Sequence, residues 1–361
     1  MALLYQYIVL NSISIVSLLE RKEQFHDIID VRTPDEFLID HIPGSINLPV
    51  LSSEERAVIG TLYKKDSFEG KKLGASLISK NIASHLKEFF KDKDRSHRPV
   101  VYCQRGGERS KSLATVLSRI GMKPLVIDGG YKAYRRHIVR SIDELVSKVS
   151  FRVLCGLTGC GKTKILKHLS SLGCQVINLE ELASHCGSLL GANPNVTQPS
   201  QTLFESKIFF SLEKITPEKI VYVESESKKI GDRHIPNSII SNMRNSHCVW
   251  IESSMENRVE LLLKDYNFFT KDVSKLQEIM KKFSSYIGKK EYATINDALT
   301  NEKWESFVTA LLKNHYDPLY EKSINKNFPL IRESKRVKLE QFGNDADIYY
   351  STAEFINKTL G

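Results

Sequence analysis

Val100-Val101-Tyr102-Cys103-Gln104-Arg105-Gly106-Gly107-Glu108-Arg109-Ser110 (VVYCQRGGERS) decides the fold of the first part of the chain. Its short apolar opening reads as a strand buried in a parallel sheet. Beyond Ser110, Leu113, Val116, Leu117 and Ile120 recur at helical spacing, and Gly121 suits the helix C-terminus. A strand, a glycine-bearing loop and a helix in that order make an α/β unit. Such a loop can curl so that successive N–H groups point inward, with the helix N-terminus adding partial positive charge. Gly106 and Gly107 admit backbone angles that bulkier residues resist. Arg105 and Arg109 are placed to donate to a bound oxyanion, and Ser110 follows at the helix start. The same field favours thiolate over thiol at Cys103. This stretch therefore reads as a nucleophile facing a tetrahedral anion.

A second loop of related form follows at Arg152–Thr163, RVLCGLTGCGKT. It satisfies G-x-x-x-x-G-K-T with Gly156, Gly161, Lys162 and Thr163, and Gly159 adds a further pliable position. An apolar strand precedes it, and a helix with Ile165, Leu166, Leu169 and Leu172 on one face follows, which is the context the motif demands. Its amides and helix end would cradle a di- or triphosphate, Lys162 would neutralise charge, and Thr163 is placed to hold Mg²⁺. Glu224 or Glu226, after an apolar strand, could be the acidic metal partner or a solvated carboxylate. Residue pattern alone leaves the owner of the phosphate open.

Outward from these loops, the chain alternates strand-like and helix-like segments. Ile28–Val31 is a strand, Pro34-Asp35-Glu36-Phe37 a helix start, and about 53–92 a polar helical stretch. Leu125–Asp128, Cys174–Leu179, Lys219–Val223 and His247–Ile251 read as further strands. From about 255 the pattern is mostly helical, with Val273, Leu276, Ile279, Met280, Phe283 and Ile287 forming a core-facing stripe. The expected class is α/β: a parallel-sheet domain over 1–145, a P-loop α/β domain over 146–254, and a helical region over 255–361 packed on the latter.

Composition agrees with a globular protein, 41% hydrophobic and 26% charged over 361 residues. The net charge of +9 favours a polyanionic partner. Lys132, Arg136 and Arg140 fall four apart on one helix face, which suits either an RNA backbone or solvent. Six cysteines without a CxxC pair point to reduced thiols in a cytoplasmic compartment. The uncharged residues 2–19 are broken by Gln6, Asn11, Ser12, Ser14 and Ser17, which argues for a buried strand and helix rather than a membrane span. His185-Cys186 is too sparse for zinc, no metal ligands are assigned, and no stable metal or organic cofactor is expected.

Cys-x5-Arg-Ser occurs in tyrosine-phosphatase-like enzymes, and a similar loop carries sulfur or selenium in rhodanese-like domains. The surroundings resemble the rhodanese family: Asp30-Val31-Arg32, Glu36-Phe37, His41–Pro49 and Asp128–Ala133. With the P-loop, and with Ser53–Lys64, Leu179–Ala183, Gln198–Gln201, Glu224–Ser227 and Tyr316–Tyr320, the chain resembles the tRNA 2-selenouridine synthases. Cys186 and Lys228 depart from that family's pattern, which has arginine at both places; neither replacement reproduces a guanidinium fork.

The resemblance implies exchange of sulfur for selenium in wobble 2-thiouridine of tRNA. Selenophosphate and geranyl diphosphate would be co-substrates and S-geranyl-2-thiouridine the intermediate, with Cys103 carrying selenium as a perselenide and the P-loop holding the diphosphate. The competing expectation is a cysteine-dependent phosphatase or sulfurtransferase coupled to a P-loop nucleotide hydrolase.

Overall fold

The computed structural model describes residues 10–187, 196–266, 273–283, 287–342 and 347–360. The stretch before residue 10 and Ser188, in the family-like Gly187-Ser188 pair, lie outside them. Two compact units result, one of 1–141 with 199–206 and one of 142–198 with 207–361.

The first unit runs β1 (Ser12–Ile13), α1 (Ile15–Glu20), β2 (Asp27–Asp30), α2 (Pro34–Ile39), β3 (Ser45–Asn47), α3 (Ser53–Lys65), α4 (Ser67–Glu88), β4 (Pro99–Tyr102), α5 (Glu108–Arg119), β5 (Leu125–Ile127) and α6 (Gly130–Val146). Its strands form one parallel sheet in the order β1-β5-β4-β2-β3. Successive strands spread from the centre in opposite directions, and ligands of such sheets gather at the carboxyl ends where the order reverses. Asp30 pairs with Tyr102 in register, so Arg32 and Cys103 leave the sheet close together. Ile29, Val31, Val101, Leu113 and Leu117 make the core beneath them.

Local chemistry sets the boundaries. Thr33 and Glu36 close a capping box at the start of α2, where Pro34 occupies the first turn. Ser52 and Glu55 do the same for α3. The polar helical stretch read over about 53–92 is two helices that meet at Asp66, whose carboxylate caps α4 by accepting from the N–H groups of Phe68 and Glu69.

The second unit contains β6 (Ser150–Cys155), α7 (Lys162–Ser171), β7 (Gln175–Ile177), α8 (Leu179–Ala183), most of α9 (Gln201–Glu213), and β8 (Ile220–Glu224). Then come the antiparallel pair β9 (Lys229–Ile230) and β10 (Arg233–His234), α10 (Asn237–Arg244), β11 (His247–Glu252) and α11 (Met255–Asp265). A late strand, β12 (Lys335–Lys338), completes a second parallel sheet in the order β12-β11-β6-β8-β7. Helix α7 and the helix Ile348–Leu360 bury Leu166, Leu169, Ala353 and Ile356 against it. Leu276, Met280 and Ile287 of the predicted stripe are core, packed with Ile295, Phe307 and Leu311. Both units are thus α/β, and no described helix is long and apolar enough to cross a membrane.

Candidate active site

Cys103 stands at the carboxyl end of the central strand β4, and α5 begins five residues later with Gly107 as its N-cap. Its Sγ accepts from the Gly107 N–H at 3.2 Å and from the Ser110 hydroxyl at 3.2 Å. Burial pushes the thiol up. Hydrogen bonds from Ser110 and from the amides of Arg105, Ser110 and Gly107 outweigh this and hold it below the usual thiol value.

The backbone reason lies in α6. Tyr131 and Lys132 in its first turn donate their N–H groups to the carbonyls of Cys103 (2.9 Å) and Gln104 (3.1 Å). With those carbonyls tied toward α6, the amides that follow are free to face the sulfur. Contact is so close that a Cβ at Gly130, whose φ is +57°, would sit 2.2 Å from the Cys103 carbonyl oxygen.

The arginines divide. Arg105 is exposed beside the loop. Arg109, read above as a donor to an oxyanion, directs Nη1 to Glu36 Oε2 at 2.7 Å, and Arg56 reaches the same oxygen at 3.2 Å. Burial pushes the Glu36 carboxyl up, but the hydrogen bond and charge of Arg109 bring it below the ordinary value, so Glu36 stays ionised. Arg32, buried, grips Asp30 through three close N–O contacts, donates to the Asp40 carbonyl and stacks 3.9 Å from the Tyr131 ring centre. Lys132, Arg136 and Arg140 are all exposed on α6.

Sequence reasoning missed Arg135 between them. It donates to the Thr202 carbonyl and the Ser206 hydroxyl, and pairs with Glu205 and Asp40. Asp40 is fully buried and also accepts from Tyr131 and Ser206. Only folding brings residues 199–206 to this place, so no local signal marks the network.

In the second unit β6 leads into Gly156–Gly161 and α7 starts at Lys162, with Gly161 left-handed at φ +81° as its N-cap. Lys162 folds back on the loop, donating to the Gly156 carbonyl at 2.7 Å and lying 5.4 Å over the Tyr320 ring. Gly156, Gly159, Gly161, Lys162 and Thr163 thus share one strand-to-helix turn. Three later residues grip it. Tyr320 accepts from the Gly156 N–H at 3.1 Å, Arg258 donates to the Thr158 carbonyl at 2.8 Å while bound to Asp317, and the Tyr349 ring lies against Gly161.

Three carboxyls surround Lys162 and Thr163. Glu224, at the end of β8, is 6% exposed, and its Oε1 has no hydrogen-bond partner among the described residues. Burial pushes its carboxyl up against the pull of Lys162 and Thr163. Glu180, which the residue pattern did not single out, is pushed up to about 8 by burial and the Glu224 charge. Burial and the charges of Glu180 and Glu224 also raise the Glu226 carboxyl well above its ordinary value. Among the described residues no group of three or more His, Cys, Asp or Glu could hold a metal ion. Burial and the Glu180 charge also raise the thiol of Cys186, one of the departures noted above.

Comparison with known proteins follows the same division. The family model for the tRNA 2-selenouridine synthase AAA domain matches residues 149–342, and that for the rhodanese-like domain matches 14–137. The tRNA 2-selenouridine synthase of Nitrosomonas europaea is 30% identical over 83% of this chain and 89% of its own. That of Bdellovibrio bacteriovorus is 36% identical over 66% of this chain and 64% of its own. Among solved structures, the N-terminal domain of a putative ATP/GTP binding protein from Clostridium difficile 630 is 32% identical over 36% of this chain and 98% of its own, with a TM-score of 0.31.

Proposed function

The chain belongs to the tRNA 2-selenouridine synthase family, and from that premise we propose that it converts wobble 2-thiouridine of tRNA to 2-selenouridine. The observation that carries the reading is the buried Cys103 sulfur, held toward thiolate by amides that can also seat an anion. Two transfers divide between the two loops. At Lys162 the loop amides and ammonium hold the diphosphate of geranyl diphosphate. The sulfur of 2-thiouridine forms a bond to C1 of the geranyl group as the C1–O bond breaks, diphosphate leaves with the electron pair, and the N3 proton passes to solvent. Alkylation turns a poor leaving group into a good one.

At Cys103 the route must balance electrons. A perselenide loaded directly from selenophosphate would leave phosphorus with the Se–P electron pair, as phosphite. The thiolate acting as nucleophile needs no such reduction. Its sulfur bonds to C2 as the C2–S bond to geranylthiolate breaks. Selenium of selenophosphate, with its phosphoryl group on the loop amides and Arg105, then displaces the thiolate from C2. Water finally takes the phosphoryl group and releases phosphate. Lys132, Arg136 and Arg140 would meet tRNA phosphates.

A magnesium ion fits the second loop on one observation, the buried Oε1 of Glu224, which has no hydrogen-bond partner among the described residues. Thr163 and Glu224 would hold it, and when bound it offsets diphosphate charge. The phosphatase alternative lacks support at Glu36, which Arg109 and Arg56 hold ionised and so unable to donate a proton.

Mass spectrometry of tRNA nucleosides tests the division. Cys103→Ser should abolish 2-selenouridine and accumulate the S-geranyl nucleoside, while Lys162→Ala should lower both by at least about tenfold. A folded Cys103→Ser protein that still incorporates selenium, or that cannot geranylate, overturns it.

A further inference from the structure

Helix α3 has thirteen residues and buries none of them. With α4 it forms a hairpin inserted between β3 and β4, and α4 reaches the core of the first unit only through its later residues Ile78, Ile82 and Leu86. A helix with no buried face draws little stability from the core. At the hairpin tip Phe68 is 70% exposed and Tyr63 49% exposed. Between them and just beyond stand Lys64, Lys65, Lys71 and Lys72, against Asp66 and Glu69.

Both acids have local work. Asp66 caps α4, and Glu69 pairs with Lys72 at 2.7 Å. Lys64, Lys65 and Lys71 are exposed and form no ion pair among the described residues. The tip is also firmly built. A Cβ at Gly70 would lie 2.6 Å from Tyr63 Cα, so the two helices touch backbone to backbone beside the aromatic pair. At the other end, Arg56 in the first turn of α3 shares Glu36 with Arg109, in the first turn of the Cys103 helix. From Arg56 to the end of α3 at Lys65, a rise of about 1.5 Å per residue puts the tip roughly 14 Å from that anchor, the length of about four stacked nucleotides.

We propose that the α3–α4 tip is a docking surface for single-stranded RNA flanking the base that reaches Cys103, with bases stacking on Phe68 and Tyr63 and phosphates meeting Lys64, Lys65 and Lys71. Unsatisfied lysines beside exposed rings match a single strand's two chemistries, phosphate charge and unpaired base faces. The inference rests on tRNA being the substrate and adds where it is held.

The test is tRNA binding by the full chain, followed by fluorescence anisotropy over a series of salt concentrations. Two variants are compared, Tyr63→Ala with Phe68→Ala, and Lys64→Glu with Lys65→Glu and Lys71→Glu. All five side chains are exposed, and circular dichroism with the alkylation rate of Cys103 confirms an intact fold. The aromatic variant should bind about tenfold or more weakly at every salt concentration. The lysine variant should lose about 2 from the slope of log affinity against log salt, as for three single-strand phosphate contacts. Unchanged affinity in both overturns the surface and leaves the tRNA reading standing. Wild-type protein without tRNA affinity overturns that reading and the surface with it. Variants that bind tRNA normally but dissociate a wild-type dimer overturn it in favour of a second copy of the chain.

Discussion

Ser110 has one hydroxyl proton and two acceptors in reach, Cys103 Sγ at 3.2 Å and the Gly107 carbonyl at 3.0 Å. Ionising the sulfur draws the proton to it, since a hydrogen bond to a charged acceptor is the stronger. Ser110→Ala should therefore slow alkylation of Cys103 by iodoacetamide at pH 7 about tenfold, the worth of one such bond at ~1.5 kcal/mol. The sign in pH follows from the depressed thiol. The wild-type rate should rise with pH and level off below the ordinary thiol range, and the variant's curve should move to higher pH; identical curves would remove Ser110 from the account. Cys103 and its glycines were legible because strand, loop and helix are adjacent in sequence. The partner of Arg109 was not, since Glu36 lies 73 residues away and arrives only because β2 pairs with β4.

Helix α6 presents different chemistry on different faces. Its first turn ties down the Cys103 loop, its Arg135 side enters a buried network, and Lys132, Arg136 and Arg140 are exposed. Arg136→Glu with Arg140→Glu should raise the KM for tRNA several-fold at low salt and progressively less as salt screens the charge, with kcat little changed. Steady-state kinetics at two ionic strengths decide, and salt-independent KM values would assign this face to solvent. Such faces are readable from a spacing of four. Strand β12 was not: Lys335-Arg336-Val337-Lys338 carries one apolar residue, as suits an edge strand kept from pairing with other chains. The break at Asp66 was equally hidden, because a capping residue inside a polar helical run resembles any other surface acid. Tyr320, Arg258 and Tyr349 converge on the P-loop from helices whose sequences carry no phosphate-binding signal.

On the scale of the whole molecule, residues 199–206 belong to the first unit although the chain between enters the second. Ser200 donates to the Ile39 carbonyl, Ser206 to Asp40, and Arg135 joins Thr202, Glu205 and Ser206. Arg135→Ala leaves the buried Asp40 carboxylate short of its cation and should cost roughly 3 kcal/mol in urea unfolding near pH 7. Burial already raises Asp40, with Arg135 acting against it. Without the arginine the folded state holds that proton to higher pH than the unfolded chain does. The variant's deficit should therefore be least near pH 4 and widen as pH rises; a pH-independent gap would contradict the network. A consequence reaches back to the ribosome. Residues 1–141 emerge first, yet the segment that completes their network follows after residues 142–198, a wait on the order of several seconds at about 5–20 residues per second. During that interval the nascent unit holds Asp40 with Arg135 and Tyr131 but without Ser206, so its buried network closes only after translation has passed residue 206.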